Sequence, residues 1–337
     1  MCRTANGADA NFNEIYKRNI EQVLRDGTLF DYNAISAAQK DGRGNICPVT
    51  IIMPTLAMEA SRDVERFMEL LDVKIHEAKD MLIERFNYIC SQDSASAKFM
   101  YENGLLIGYH PEEGIRSALK HGTLALGQLG LAETLQLLIG KNHTSKEGME
   151  LAKRIEGLFK QRAAEFKQKY KLNFGVYYTP AENLCYTAMK KFKEKYGVIE
   201  NVSDRDYFTN SMHVPVWEKV DMFTKIDIES QLTGYSSAGC ITYVEIDSSV
   251  QGNTEAIETI VDYAMDHDIP YFAINCPNDT CLDCGYTEEF NEACPVCGSK
   301  HIQQLRRVTG YLTGNYLTAF NAGKVAEVKD RVKHKLR

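Results

Sequence analysis

The order of apolar and polar residues predicts that strands alternate with helices along this chain. The apolar run 46–53 follows a glycine-rich turn and ends at Pro54, which is typical of a buried strand. Runs of β-forming residues at 174–178, 239–247 and 270–275 predict three more strands. Because helical stretches separate these runs, we expect an α/β fold whose strands are buried on both faces.

Helices are predicted where apolar residues recur at helical spacing. They cover residues 55–100, a pair at about 112–140 and 144–170, and residues 252–267. The stretch 122–140 is the longest apolar one, but polar and charged residues interrupt it. It is therefore predicted to be a buried helix and not a membrane span.

The segment 179–183, Thr-Pro-Ala-Glu-Asn, follows the strand at 174–178 and has the composition of a helix start. Thr179 is placed to be the N-cap, Pro180 the first helical residue and Glu182 the third. The free N–H groups of such a start can receive a phosphate. An ordinary capped helix is the simpler interpretation, and the residues alone favour it.

Composition and charge are those of an ordinary globular protein. The 337 residues are 44% hydrophobic and 25% charged, with a net charge of −7. The mild acidity argues against a protein that binds nucleic acid. Residues 301–337 depart from the average, since eight Lys and Arg stand against two acids. We expect a solvated helix face there, with an anion-binding or docking surface as the alternatives.

Ten cysteines are present, and the N-terminal residues do not resemble a signal peptide. We therefore expect a cytoplasmic protein without a membrane partner. In a reducing compartment, clustered cysteines bind metal or take part in chemistry more often than they form disulfides.

Two Cys-x-x-Cys-Gly knuckles lie close together near the C-terminus, with nine residues between Cys284 and Cys294. Four thiolates at this spacing can fill all positions around a tetrahedral ion, so we predict a structural Zn²⁺ site. Iron in a rubredoxin-like site is the alternative metal, and two disulfides are a weaker alternative. The predicted ligands are Cys281, Cys284, Cys294 and Cys297.

The stretch 306–312, Arg-Arg-Val-Thr-Gly-Tyr-Leu, follows the knuckles. On its own, Gly310 between β-forming residues is an ordinary turn glycine that needs a positive φ. Neither a P-loop nor a dinucleotide-binding glycine pattern occurs in the sequence. Evidence for any special role of Gly310 must therefore come from the motifs that accompany it.

Taken together, these motifs resemble those of the class III anaerobic ribonucleotide reductases, over nearly the whole chain. The matching segments are Cys2-Arg3-Thr4, 42–54, 122–134, 179–184, 209–215, the two knuckles and 306–312. The resemblance implies half of a ten-stranded α/β barrel of the glycyl radical enzyme type, with a C-terminal zinc ribbon and a glycyl-radical loop. The implied parts are a finger-loop segment at 1–46, a half-barrel at 47–275, a zinc module at 276–300, and the radical loop with a basic helix at 301–337.

The resemblance also implies roles for the candidate site residues. An activating enzyme that uses S-adenosylmethionine and an iron–sulfur cluster would take a hydrogen atom from Gly310, and the radical would pass to Cys2. The Cys2 thiyl would take the 3′-hydrogen of a ribonucleoside triphosphate, and Asn45 would hydrogen-bond the sugar. The residues that would face the substrate phosphate are Thr179, Ala181, Glu182 and Asn183.

Glycine suits this role chemically. An unpaired electron at its Cα is shared between the amide nitrogen and the carbonyl group, and a Cβ atom would crowd the planar centre. His213, which lies in another matching segment, is expected to be a hydrogen-bonded core histidine.

Two features depart from the family pattern. The first half-barrel and the nucleotide-binding regulatory domain are not in the sequence, and an extra helical segment at about 12–31 follows Cys2. We therefore expect a catalytic C-terminal half that works with a separate N-terminal half and is a homodimer in the assembled enzyme. A zinc-stabilised remnant without activity and a subunit that only carries the radical are the alternatives.

Overall fold

The structure is a computed structural model, and it describes residues 7–11, 43–103, 105–106, 108–250, 252–290 and 292–334. Cys2 and the predicted helical segment at 12–31 lie outside these ranges. Within the described ranges, no helix is both long enough and apolar enough to cross a membrane.

The strands of the described residues form three sheets. β1, β2 and β3 form a parallel sheet in that order, β4 and β5 form a parallel pair, and the others form an antiparallel sheet in the order β7-β6-β8-β9. The bounds are β1 Asn45–Ile52, β2 Thr123–Leu129, β3 Asn173–Tyr177, β4 Thr242–Glu245, β5 Phe272–Asn275, β6 Asn278–Cys281, β7 Thr287–Glu288, β8 Ile302–Val308 and β9 Tyr311–Thr313.

Helices connect the parallel strands, as an α/β fold requires. Two of them, α2 and α6, are long and lie against the first sheet. In chain order the helices are α1 Met53–Glu59, α2 Val64–Cys90, α3 Lys98–Glu102, α4 Arg116–Leu119, α5 Leu131–Ile139, α6 Lys146–Tyr170, α7 Asn183–Tyr196, α8 Met222–Thr233, α9 Thr254–Asp266, α10 Tyr316–Ala319 and α11 Ala322–Asp330.

The main core lies between the first sheet and its two long helices. Every residue of β2 is buried. From α2, Phe67, Leu71 and Ile75 are fully buried in this core, and Phe159 joins them from α6. A central strand with helices against it is buried on both faces, which explains its mostly apolar sequence. Its buried Gln128 donates a hydrogen bond to Glu156 Oε1 at 2.8 Å.

A short backbone connection joins the two parallel sheets. Tyr177, at the end of β3, forms a parallel bridge with Gly239, three residues before β4. The neighbouring residues strengthen it, because Tyr178 N donates to Gly239 O at 3.0 Å and Ala238 N donates to Val176 O at 2.9 Å. The segment 237–239 therefore lies alongside β3.

The predicted strands are confirmed, but the prediction of one helix over 122–140 is wrong. Residues 123–129 form the central strand β2, and only 131–139 are helical. Gly130 separates them with a φ of 78°. A short apolar run fits a buried strand as well as a buried helix, so periodicity alone could not separate these two elements.

The predicted helix at 55–100 is also wrong in part. α1 ends at Glu59, and α2 runs from Val64 to Cys90. Ser61 and Arg62 have positive φ values between the two helices, and the side chain of Asp63 caps α2. Helix α8 was not predicted at all.

Candidate active site

A tight hairpin carries Gly310. β8 and β9 pair antiparallel, with Val308 opposite Tyr311, so Thr309 and Gly310 alone form the loop. Thr309 has the positive φ, 50°, whereas the φ of Gly310 lies outside that region. The alternative interpretation, that Gly310 is an ordinary turn glycine that needs a positive φ, is therefore wrong. The unfavourable conformation falls instead on a β-branched residue, which its surroundings must hold in place.

Space, and not backbone conformation, favours glycine at position 310. A Cβ atom there would lie 2.7 Å from Oε1 of Glu182. Glu182 also has a positive φ, 52°. Two strained residues, Glu182 and Thr309, therefore lie beside the candidate radical carbon, and such strain often marks functional sites. Gly310 itself is exposed.

The start of α7 differs from the predicted capping pattern. The helix begins at Asn183, its N-cap is Glu182, and no side chain caps it. Thr179 is not the N-cap, because its hydroxyl oxygen lies 3.0 Å from that of Thr50 in β1 and belongs to the end of the sheet. The N–H groups of the first turn of α7 are consequently left without a side-chain cap.

Two residues from the C-terminal segment reach the start of α7. Oδ1 of Asn183 accepts hydrogen bonds from Asn321 Nδ2 at 2.9 Å and from Lys324 Nζ at 2.5 Å. Lys324 Nζ also lies 3.7 Å from the centroid of the Tyr311 ring, which is a cation–π contact. Because Tyr311 follows Gly310, the hairpin is tied to the start of α7.

The far end of α11 holds the hairpin as well. Arg331 Nη1 donates a 2.6 Å hydrogen bond to the carbonyl oxygen of Arg307 in β8. The same guanidinium pairs with Glu327 at 2.9 Å and with Glu245 at 3.4 Å. Pairing from two sides compensates the charge of this largely buried arginine and fixes its direction.

Three of the segments that resemble the family motifs, 122–134, 179–184 and 209–215, contact one another next to the hairpin. Buried Glu133, from α5, accepts hydrogen bonds at 2.7 Å from both N and Oγ1 of Thr209. The next residue, Asn210, accepts a 2.8 Å hydrogen bond from Ala181 N. Burial raises the pKa of Glu133 despite these hydrogen bonds. The loop at 209–215 is therefore fixed to α5 and to the segment that leads into α7.

His213 is a hydrogen-bonded core histidine, as predicted. Buried Glu229 accepts from Lys225 Nζ at 2.5 Å and Val214 N at 3.0 Å, and His213 Nδ1 lies 3.3 Å from its carboxylate. Burial alone would raise the pKa of Glu229, but Lys225 and His213 hold it well below its usual range. A cavity of ≈ 40 Å³ is lined by His213 and Lys225 of this cluster and by Thr309 of the hairpin.

Asn45 and the described N-terminal residues both form hydrogen bonds with the segment 237–239. Asn45 Nδ2 donates to Ala238 O at 3.0 Å, and Gly7 N donates to Ser237 O at 3.2 Å. The buried Oδ1 of Asn45 accepts no hydrogen bond from a described residue. Cys2, five residues before Gly7, lies outside the described residues.

A buried polar cluster anchors residues 7–11. Asp9 Oδ2 lies 2.7 Å from His121 Nδ1, and Asp9 Oδ1 accepts from Asn173 Nδ2 at 2.8 Å. Burial raises the pKa of Asp9, but hydrogen bonds from His121, Asn11 and Asn173 outweigh it and keep the pKa below its ordinary value. This cluster places the N-terminal segment against the amino ends of β2 and β3.

The two cysteine knuckles converge as predicted. The four Sγ atoms lie within 4.8 Å of one another. The distances from Cys281 to Cys297, 3.5 Å, and from Cys284 to Cys294, 3.6 Å, are too long for disulfides, which need about 2.05 Å. Zn–S bonds of about 2.3 Å would place tetrahedral sulfur atoms about 3.8 Å apart. The cluster therefore fits a tetrahedral metal ion.

The cysteine cluster is continuous with the hairpin. β6, which ends at Cys281, pairs with β8, whose end carries the Gly310 loop. Arg306 in β8 forms an ion pair of 2.5 Å with fully buried Asp279 in β6, and Asp279 also accepts from Phe290 N at 3.1 Å. A metal ion at the cysteines would therefore stabilise the base of the hairpin.

Comparison with known proteins identifies the family. The sequence profile of the family described as anaerobic ribonucleoside-triphosphate reductase matches residues 2–334. The chain belongs to this family. It is 34% identical over 307 residues to the anaerobic ribonucleoside-triphosphate reductase of Escherichia coli (strain K12) and 32% identical over 309 residues to that of Enterobacteria phage T4. These alignments cover 87% of the chain but 43% and 49% of the relatives, so the chain spans less than half the length of either reductase.

Solved structures support the same fold. An anaerobic ribonucleotide reductase matches with a TM-score of 0.72 and 22% identity, over 88% of this chain and 46% of that one. The anaerobic ribonucleotide reductase from Thermotoga maritima with glycerol in its active site matches with a TM-score of 0.66 and 22% identity, over 81% and 43%. The α/β fold of the chain is therefore that of one part of an anaerobic ribonucleotide reductase.

Several residues that support the candidate site were not predicted. Glu133, Asn321, Lys324 and Arg331 reach the candidate site through contacts with residues that are distant in sequence. The basic composition of 301–337 was the one available signal, since Lys324 and Arg331 contribute to it. The preferred interpretation of that signal was a solvated helix face, whereas Lys324 is buried.

Proposed function

We propose that this chain carries the glycyl radical and substrate-facing part of a reductase that converts ribonucleoside triphosphates to deoxyribonucleoside triphosphates. One observation carries the proposal. Gly310 lies at the tip of a two-residue hairpin, which is seated on the start of α7 and continuous with a four-cysteine cluster. The reaction proposed for this arrangement is inferred from the family to which the chain belongs.

In the proposed reaction, an activating enzyme with S-adenosylmethionine and an iron–sulfur cluster takes a hydrogen atom from Gly310. The glycyl radical next takes the thiol hydrogen of Cys2, and the Cys2 thiyl takes the 3′-hydrogen of the ribose. The 2′-hydroxyl, once protonated, leaves as water. Formate or a thiol protein supplies two electrons, and Cys2 returns the hydrogen to C3′.

The described residues contribute substrate contacts to this proposal. The open Oδ1 of Asn45 can accept a hydrogen bond from a ribose hydroxyl. The uncapped start of α7, with Thr179, Ala181 and Asn183, can face the phosphates. Glu182 is not expected to contact the phosphates, because its carboxylate is directed at Gly310 and a carboxylate repels phosphate.

For the cysteine cluster we propose a structural zinc ion in a zinc ribbon. Its four ligands leave no coordination position for substrate, so the ion would stabilise the fold and take no part in the reaction. Its function would be to hold β6 against β8 and thus to fix the hairpin. Removal of the metal should loosen the Gly310 loop before it affects the parallel sheet.

We propose that β1–β5 are half of a ten-stranded barrel. The parallel bridge between β3 and Gly239 supports this, because it extends the strand series across both parallel sheets. The other half would come from further residues of the same polypeptide or from a separate N-terminal half. The assembled enzyme would be a homodimer that works in the anaerobic cytoplasm.

The test is electron paramagnetic resonance under anaerobic conditions, on the chain incubated with a class III activating enzyme, S-adenosylmethionine and a reductant. We expect a doublet signal from Gly310 that is lost in Gly310→Ala. Gly314→Ala, four residues away, is the matched control and should retain the doublet. A folded, metal-loaded chain that gives no doublet would contradict the proposal.

A further inference from the structure

Helix α6 carries two lysines on one face that have only neutral partners. Lys160 and Lys167 are seven residues apart, and this spacing places them on the same side of a helix. The ammonium group of Lys160 donates to the carbonyl oxygen of Gly234 at 2.9 Å, and that of Lys167 donates to the carbonyl oxygen of Ala8. No carboxylate of a described residue lies within 4 Å of either ammonium group.

Cations on another face of α6 are paired with carboxylates instead. Arg154 pairs with Glu65 at 2.5 Å, and Arg162 pairs with Asp72 at 2.6 Å. Both carboxylates belong to α2, which packs against α6. The charges of the lysine face are therefore uncompensated in a way that the charges facing α2 are not.

A groove of ≈ 200 Å³ is lined by both lysines and by the first residues of β3. Ala163 and Ala164 lie between the lysines on the helix, and their small side chains leave room above the backbone. Arg43, which precedes β1, also lines the groove. Among its described lining residues, the groove thus has three cations and no carboxylate.

The cations of the groove repel one another. Burial lowers the pKa of Lys167, the charge of Arg43 lowers it further, and the charge of Asp9 opposes these effects only in part. Asp9 is itself buried and contacts His121 and Asn173. An anion in the groove would relieve the repulsion, because it would bring a charge of the opposite sign to all three cations.

We propose that this groove binds a short chain of linked phosphate groups. The Cα atoms of Lys160 and Lys167 are about 10 Å apart along the helix, so a chain is better suited than a single phosphate to contact both side chains. An ammonium group has three N–H donors, so each lysine can keep its carbonyl partner and still donate to a phosphate oxygen. Nucleoside triphosphates and inorganic polyphosphates both carry such a chain.

The groove lies at the opposite edge of the first sheet from the candidate active site. It is lined by Asn173 and Phe174 at the beginning of β3, whereas Thr179 and the start of α7 follow the other end of that strand. The inference therefore concerns a second site and does not rest on the proposed function.

A bound phosphate chain would also lie beside the N-terminal segment that leads from Cys2. Lys167 donates to the carbonyl oxygen of Ala8, and Arg43 Nη1 donates to that of Gly7 at 3.1 Å. Gly7 is five residues after Cys2. The same side chains that would hold the ligand therefore hold this segment.

The experiment is acetylation of lysines in the folded full chain, measured for each lysine by mass spectrometry, with and without inorganic tripolyphosphate or a nucleoside triphosphate. A ligand at about ten times its Kd should slow the acetylation of Lys160 and Lys167 about tenfold, because an occupied site does not react. Lys169 is the internal control, since it is exposed on the same helix outside the groove, and its rate should not change. Inorganic phosphate at equal concentration should protect less than tripolyphosphate does.

The two ligands distinguish the sources of the phosphate chain. Equal protection by both would support a site that recognises the chain alone. Stronger protection by the nucleoside triphosphate would support a site that also contacts the sugar or the base.

Isothermal titration with tripolyphosphate at low ionic strength tests the same site through variants. Lys160→Met and Lys167→Met should each weaken binding about tenfold, because each removes one charge-assisted contact, whereas Lys167→Arg keeps the charge and should bind. Lys169→Met removes the same charge outside the groove, and its affinity should stay within about twofold of the wild type.

Unchanged acetylation of Lys160 and Lys167 in the presence of tripolyphosphate would overturn the inference. Equal affinities for the wild type, Lys160→Met and Lys167→Met would also overturn it. Neither measurement needs a glycyl radical or reductase activity, so a missing glycyl signal would count against the proposed function alone.

Discussion

The parallel core and the C-terminal antiparallel sheet of this chain are stabilised by different interactions. The core places fully buried β2 against α2 and α6, with side chains such as Phe67 and Leu71 inaccessible to solvent. The strands of the C-terminal sheet are mostly exposed or half-buried, and the sheet depends on a cysteine cluster and on the Asp279–Arg306 ion pair. The difference indicates that burial of apolar side chains makes the parallel core rigid, whereas a few specific contacts hold the Gly310 hairpin.

The largest expected effect separates the two regions directly. Cys281→Ser, or removal of the metal with a chelator, should unfold the β6–β9 sheet and leave the core folded, because a cysteine-held module loses its main stabilisation without its ion. Metal analysis and limited proteolysis should show a loss of metal and cleavage confined to residues after about 276. Cys276→Ser, an exposed cysteine outside the cluster, is the control and should bind metal normally.

A smaller but still large effect is expected in the core. Phe67→Ala should lower the free energy of unfolding by about 3–5 kcal/mol, because it leaves a cavity among fully buried side chains. Urea unfolding followed by circular dichroism measures this, and metal content should not change. Phe99→Ala is the matched control, since Phe99 is 70% exposed and its loss should cost less than about 0.5 kcal/mol. Similar costs for both variants would contradict the assigned packing.

The same contrast explains what could be predicted from the sequence. The strands at 46–53 and 174–178 and the four-cysteine cluster were predictable, because apolar runs and fixed ligand spacing are local signals. The helix predicted at 122–140 was wrong, because an apolar run has no period that separates a buried strand from a buried helix.

The candidate site was predictable only in part. Gly310 and the segment 179–183 were found through their resemblance to a family. Their contact, in which Glu182 faces Gly310, depends on the fold that brings the two segments together. The predicted cap at Thr179 was wrong because Thr50, which is far away in sequence, takes its hydroxyl group.

A pH effect of intermediate size is expected in the core. Burial raises the pKa of Glu156 from 4.5 to about 8, and hydrogen bonds involving Tyr178 and Gln128 oppose it only in part. The folded state therefore keeps Glu156 protonated while the unfolded state ionises above pH 4.5. The contribution of Glu156 to the free energy of unfolding is therefore most favourable below about pH 4.5. It falls as the pH rises towards 8 and changes no further above that pH.

Glu156→Gln removes this titration. The variant should be more stable than the wild type at pH 8, by on the order of a few kcal/mol, with a smaller difference at pH 5. Urea unfolding at both pH values measures the difference. Glu229→Gln should behave in the opposite way, since the pKa of Glu229 is lowered and its ionised form is the stabilising one. Equal pH dependence in wild type and Glu156→Gln would contradict the burial of an uncharged carboxyl group.

The smallest expected effect concerns the hairpin itself. Gly310→Ala would bring a Cβ atom to 2.7 Å from Oε1 of Glu182, but that oxygen is at the end of a flexible side chain. We therefore expect a cost of only about 1 kcal/mol, far below that of a change in the tightly packed core. In a Glu182→Ala background the same substitution should cost almost nothing, because the contact no longer exists. A double-mutant cycle of unfolding free energies measures this coupling. A Gly310→Ala cost that is unchanged by Glu182→Ala would show that the backbone, and not the carboxylate, restricts position 310, and the hairpin would then resemble the core in its rigidity.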